Sequence, residues 1–107
     1  MNTIGFIGQG WIGKHYADDF EARSFTVVRY SLEEPYIHNK AKISECDIVF
    51  VAVPTPTTAD GFSYAPVRDA LSIITPGSTV VIKSTLYPGT TKSLQKEFPH
   101  LFVMHSP

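Results

Sequence analysis

The chain has 107 residues, enough for one small domain and too few for two. Apolar residues make up 43% and charged residues 18%, the balance of a folded globular protein and not of a disordered or fibrous one. A formal net charge of −1, with lysines and arginines scattered, supplies no basic stripe for a nucleic acid, and no apolar run reaches the roughly 18 residues that span a bilayer.

The amino terminus lacks a basic stretch followed by an apolar signal segment, so a cytoplasmic location is expected. Cys46 is the only cysteine, which rules out an internal disulfide and a cysteine-rich metal site. His15, His38, His100 and His105 show none of the short pairings that zinc sites use, so no metal is expected.

In chain order, Thr3 to Ile7 is a short apolar run ending at Gly8, suited to a strand buried on both faces of a parallel sheet. From Trp11 to about Arg23, Ile12, Tyr16, Ala17 and Phe20 recur at helical spacing, with Lys14, Asp18, Asp19 and Glu21 opposite them. Phe25 to Tyr30 is rich in β-branched and aromatic residues and reads as the second strand. Ser31 to Glu45 contains Pro35 and mixed polar residues, with one short helix expected around Asn39 to Ser44.

Asp47 to Val53 is the strongest strand pattern, stopped by Pro54 and Pro56, each of which lacks a backbone donor. A loop is expected through Gly61. From Ala65 to Thr75 the residues Val67, Ala70, Leu71 and Ile74 share one helical face, and Pro76-Gly77 ends it. Thr79 to Lys83 forms the next strand, Thr90 to Phe98 a helix with Leu94 and Phe98 on one side, and Leu101 to Met104 a last strand. Strands alternating with helices, each strand nearly all apolar, predict an α/β fold: a Rossmann-type three-layer arrangement, with a parallel sheet of about five strands and right-handed crossovers.

The chemistry concentrates at Gly8-Gln9-Gly10-Trp11-Ile12-Gly13, a GxGxxG sequence placed after a strand and opening a helix. There the amides of Trp11 and Ile12 and the positive end of the helix can face a pyrophosphate. Gly8 permits the tight turn, Gly10 lets the backbone approach the phosphates, and Gly13 allows helix and strand to pack closely. The acidic residue that would bind the adenosine ribose is expected about 20 positions on, where this chain has Ser31. Arg29 points to the same side as Ser31 and could pair with a 2′-phosphate or lie solvated, so the residues leave NAD and NADP both open.

Three blocks give the chain a more specific resemblance. They are the glycine turn, the run Cys46 to Thr57 with its Val53-Pro54-Thr55-Pro56, and the run Val81 to Thr91 with its Lys83-Ser84-Thr85-Leu86-Tyr87-Pro88-Gly89. Over essentially its whole length the chain resembles the amino-terminal NAD-binding domain of the UDP-glucose/GDP-mannose dehydrogenase family. The resemblance implies NAD as cofactor, with Val53, Pro54 and Thr55 on its adenosine and ribose side, and Ser84 and Thr85 further along it, Thr85 beside the nicotinamide. It also implies a nucleotide-sugar substrate oxidised at a CH-OH group, bound only with a central helix and a carboxyl-terminal domain that these residues lack.

The cysteine nucleophile and the lysine of such enzymes belong to later sequence, so this chain by itself is expected to be catalytically inactive. Cys46 precedes its strand at the amino-terminal edge, away from where ligands bind, and reads as a small structural residue. His105-Ser106-Pro107 resembles the point just before a Pro-Glu-Phe-Leu block, so the chain is expected to be a truncated piece, and its passage from Ser31 to Cys46 is shorter than in typical members. Two other functions fit the same turn. One is a β-hydroxyacid dehydrogenase cofactor domain, which shares the Val-Pro and Ser-Thr signals; the other is a stand-alone module sensing NAD(P) occupancy. A short sheet also leaves apolar surface that a partner or a second copy would cover, giving a homo-oligomer.

Overall fold

The computed structural model describes residues 3–53, 57–58, 61–62, 64–84, 86 and 89–106. Its elements are β1 (Thr3–Ile7), α1 (Trp11–Ala22), β2 (Thr26–Tyr30), a 3-10 turn (Tyr36–Asn39), α2 (Lys40–Ile43), β3 (Ile48–Val51), the two-residue strands β4 (Thr57–Thr58) and β5 (Gly61–Phe62), α3 (Ala65–Ser72), β6 (Thr79–Ile82), α4 (Thr90–Glu97) and β7 (Phe102–His105).

Five strands form one parallel sheet in the order β2-β1-β3-β6-β7. The chain steps outward from β1 to β2, then returns across β1 to lay down β3. The direction of winding therefore reverses between β1 and β3, and open α/β sheets take their ligands at such a reversal, outside the carboxyl ends of the strands.

Side-chain alternation sorts the sheet into two faces. Val49 and Val51 of β3 and Val80 and Ile82 of β6 are buried with Ile43, Val67, Ala70, Leu71 and Leu94, so α2, α3 and α4 cover one face. On the other face Ile4 and Phe6 pack under Ala17 and Phe20 of α1, and Phe6 stacks on Phe50 with ring centroids 4.9 Å apart. Full burial of a phenylalanine contributes about 1.5–3 kcal/mol, so the Phe6 contact is a principal tie between α1 and the sheet.

Where the sequence pattern was weak, the structure adds detail. The passage after β2 holds the 3-10 turn and one turn of α2, fastened by Asn39 Nδ2, which donates to the Arg29 carbonyl at 2.8 Å. The expected loop through Gly61 contains a small antiparallel pairing of β4 and β5, with Thr57 opposite Phe62. Two-residue strands are too short for alternation to be read. Helix α3 stops at Ser72, three residues before the expected end, because Ile73 and Ile74 bond to the carbonyls of Ala70 and Leu71 in a tightened last turn.

Candidate functional site: a glycine turn at the sheet's reversal point

The three turn glycines serve three different physical needs. Gly8 has φ of +99°, donates its N–H to the Tyr30 carbonyl at 2.7 Å, and lies so close to the end of β3 that a Cβ there would sit 2.3 Å from the Ala52 oxygen. A Cβ on Gly13 would come within 2.1 Å of the Gly8 carbonyl oxygen, so helix and turn can pack this closely only without a side chain. Gly10 is the N-cap of α1, and among the described residues no atom lies within 4 Å of a Cβ built on it. Among the described residues no contact requires a glycine at position 10; a ligand approaching the backbone there would.

The first turn of α1 suits an anion. Among the described residues no side chain caps it, and no acidic residue lies within it, so the backbone donors at Trp11, Ile12 and Gly13 stand at the positive end of a helix 12 residues long. The residues present thus fit a dinucleotide diphosphate.

Behind the turn, the carboxyl ends of the central strands are laced together. The Ala52 N–H donates to the Ile7 carbonyl at 2.8 Å and the Lys83 N–H to the Val51 carbonyl at 2.7 Å. Ser84 is buried, and its hydroxyl donates to the Val53 carbonyl at 2.7 Å, joining the ends of β3 and β6. His105 brings Nε2 within 2.9 Å of the Ser84 carbonyl, and Lys83 donates from Nζ to the Ser106 hydroxyl at 3.3 Å while lying 4.7 Å from the centre of the Tyr16 ring. Of the residues singled out from sequence, Gly8, Val53 and Ser84 therefore meet at one edge of the sheet. Pro54, Thr55 and Thr85 lie outside the described residues.

Sequence reasoning did not single out Lys83 and His105 as part of this edge. The available signal was that each is a polar side chain ending an otherwise apolar strand.

The end of β2 lies beside the turn, held there by the bond from Gly8 to the Tyr30 carbonyl. The Ser31 hydroxyl accepts the Glu33 N–H at 3.3 Å and so opens the turn that follows, which leaves its own proton free to donate. Arg29 is not solvated. Its Nη2 pairs with Asp18 Oδ1 at 2.6 Å and also with Glu21 of α1, and its Nη1 donates to Gln9 Oε1 at 3.2 Å.

Cys46 sits at the opposite end of the sheet, just before β3. It is buried, its Sγ lies 3.6 Å from the Lys42 carbonyl, and burial followed by the charges of Asp47 and Glu45 pushes its thiol up to about 11. Such a thiol is not an activated nucleophile. Among the described residues no group of three or more His, Cys, Asp or Glu is placed to hold a metal ion, and no helix is long and apolar enough to cross a membrane.

A parallel sheet that reverses its winding beside a glycine turn defines a Rossmann-type domain. Comparison with known proteins narrows this. Residues 36–100 match the UDP-glucose/GDP-mannose dehydrogenase family, NAD binding domain, and the chain belongs to that family. The matched span runs from the 3-10 turn through α4 and does not include the glycine turn, so the turn and the family match are separate observations.

YtcA of Bacillus subtilis, which carries a UDP-glucose 6-dehydrogenase name, is 32% identical over 63 residues, covering 54% of this chain and 15% of its own length. Among solved structures, a UDP-glucose dehydrogenase from Pyrobaculum islandicum superposes with a TM-score of 0.76 at 21% identity, over 91% of this chain and 32% of that one. A UDP-D-ManNAc dehydrogenase from Pyrococcus horikoshii gives 0.74 at 19% identity, over 89% and 31%. The 3-hydroxyisobutyrate dehydrogenase of Mycobacterium tuberculosis also gives 0.76, at 16% identity, over the whole of this chain and 40% of that one. At these identities the structural likenesses establish the fold; the family match separates the nucleotide-sugar group from the hydroxyacid group. The chain spans about a seventh of the curated relative and about a third of the sugar-nucleotide dehydrogenase structures it resembles.

Proposed function

We propose that this chain is the cofactor-binding part of a nucleotide-sugar 6-dehydrogenase, holding NAD with its diphosphate at the start of α1. The observation that carries the reading is Gly10, whose missing side chain leaves space that no atom of the described residues occupies, beside uncapped helix donors. When bound, the nicotinamide accepts a hydride from a CH-OH carbon of the substrate. The chain's own residues bind and orient. Gly8, Gly10, Trp11, Ile12 and Gly13 present the backbone to the diphosphate, and Ser31 offers a hydroxyl to the adenosine ribose. Val53 and Ser84 stand at the strand ends beneath the dinucleotide, while family resemblance assigns Pro54 and Thr55 to its adenosine and ribose side and Thr85 to its nicotinamide side.

The groups that recognise a sugar and attack it do not belong to this set: the chain's one cysteine is buried at the wrong end of the sheet with its thiol pushed up. The purified chain therefore binds dinucleotide without turning it over. The reading also includes a cytoplasmic location and self-association through exposed apolar surface.

The test is a titration of the purified chain with NAD, followed by calorimetry and by the fluorescence of Trp11, its single tryptophan. Saturable one-site binding is expected, with no NADH formed on adding UDP-glucose. Folded protein that releases no heat with either nicotinamide dinucleotide would refute the reading, and turnover by the chain alone would refute its catalytic part.

A further inference from the structure

We propose that Asp18 and Glu21 of α1 set a preference for NAD over NADP by holding Arg29 as an internal counter-ion; the inference rests on the dinucleotide reading above. Residue 31, at the end of β2, is where a carboxylate would ordinarily bind the ribose diol and repel a 2′-phosphate. Ser31 does neither strongly. Residue 29 lies on the same side of the strand, and Arg29 extends far enough toward the turn for Nη1 to donate to Gln9 at 3.2 Å. Gln9 in turn donates from Nε2 to the Gly8 carbonyl at 2.9 Å, so the guanidinium lies against the nucleotide turn itself.

A free guanidinium in that place would recruit the 2′-phosphate of NADP through bidentate, charge-assisted hydrogen bonds. This one is already claimed. Nη2 pairs with Asp18 at 2.6 Å and with Glu21, and only 15% of the Arg29 side chain is exposed, against about half of each carboxylate. Two carboxylates against one guanidinium leave the cluster net negative, with the negative groups outermost. A 2′-phosphate would have to displace a carboxylate from Arg29 and then remain beside it, whereas the neutral 2′-hydroxyl of NAD meets no such opposition. The discrimination that a β2 carboxylate would give is thereby supplied from the neighbouring helix.

The experiment is calorimetric titration with NAD and with NADP, on the unaltered chain and on the Asp18→Asn/Glu21→Gln double variant. The unaltered chain should bind NADP at least about tenfold more weakly than NAD, and the double variant should recover about tenfold for NADP, the scale of one charge-assisted contact. Its NAD affinity should stay within about twofold, since the neutral 2′-hydroxyl makes no charged contact with either carboxylate. The single variants D18N and E21Q should show intermediate gains, which preserves the test if the double variant folds poorly. Arg29→Gln keeps both carboxylates and removes the cation, and should gain nothing for NADP.

Equal affinity of the unaltered chain for both dinucleotides would overturn the inference. So would retained NAD binding without a gain for NADP in folded D18N or E21Q, or a gain in R29Q. Any of these leaves the dinucleotide reading standing, whereas absence of binding by both ligands removes that reading and the inference with it.

Discussion

Gly8 and Gly10 stand two residues apart in one motif and should behave in opposite ways when given a methyl group. At Gly8 an alanine would hold a left-handed conformation that costs about 1–2 kcal/mol by itself, and its Cβ would clash with backbone of Ala52. Gly8→Ala should therefore abolish the cooperative thermal transition. Gly10→Ala meets no atom of the described residues, so it should lower stability by no more than about 1 kcal/mol, the scale of an N-cap preference. It should nevertheless weaken NAD at least about tenfold, because the added carbon occupies the place of the diphosphate. An equal loss of stability in both variants would contradict the distinction.

Cys46 gives a second prediction at this scale. Its thiol is pushed from 9.0 to about 11 on folding, chiefly by burial, so between those values the native state holds a proton that the unfolded chain releases. The contribution is complete below pH 9 and is lost as pH rises through about 11. Urea denaturation should show stability falling across that window, and Cys46→Ala should fall less steeply. At neutral pH the native thiol should react with an aromatic disulfide reagent only as fast as the protein opens.

At the scale of elements, α4 and the edge strand β7 are joined by one side chain. Gln95 donates from Nε2 to the carbonyls of Phe98 at 3.2 Å and Leu101 at 2.6 Å, while its Oε1 accepts the Val103 N–H at 2.9 Å. Gln95→Ala strips partners from three half-buried backbone groups and should cost about 1–3 kcal/mol, read as a lower denaturation midpoint with an unchanged slope. A loss under about 0.5 kcal/mol would mean that water replaces the side chain.

The same scale shows what was legible in the sequence. Runs such as Ile48-Val49-Phe50-Val51 and Thr79-Val80-Val81-Ile82 announce buried parallel strands because they are apolar on both faces. The glycine turn was legible because its spacing comes with a strand before and a helix after. Gly8's contact with Ala52 and Arg29's pairing with Asp18 and Glu21 were not, since each depends on one element lying across another. The passage after β2 resisted for a different reason: its order comes from contacts such as Asn39 with the Arg29 carbonyl, which leave no periodic trace.

For the whole molecule, the two faces of the sheet are unequally covered. Helix α1 shields β1, β2 and Phe50, but on the same face Val81 and Met104 lie side by side beyond it, with Phe102 at the rim. Phe102 is 63% exposed and Met104 49%, and among the described residues no helix covers them. Apolar surface on an edge strand favours association. Sedimentation should therefore show an average mass that rises with protein concentration, and Met104→Lys with Phe102→Lys should hold the chain monomeric without lowering its melting temperature. A concentration-independent monomer at the outset would remove this expectation.

The division of labour within the turn also bears on descent. In lineages that kept the fold but abandoned the dinucleotide, selection would relax at position 10 first and would go on preserving positions 8 and 13, whose substitution spoils the architecture. A larger residue at position 10 between two retained glycines would then mark a retired cofactor domain, recognisable from gene sequences alone.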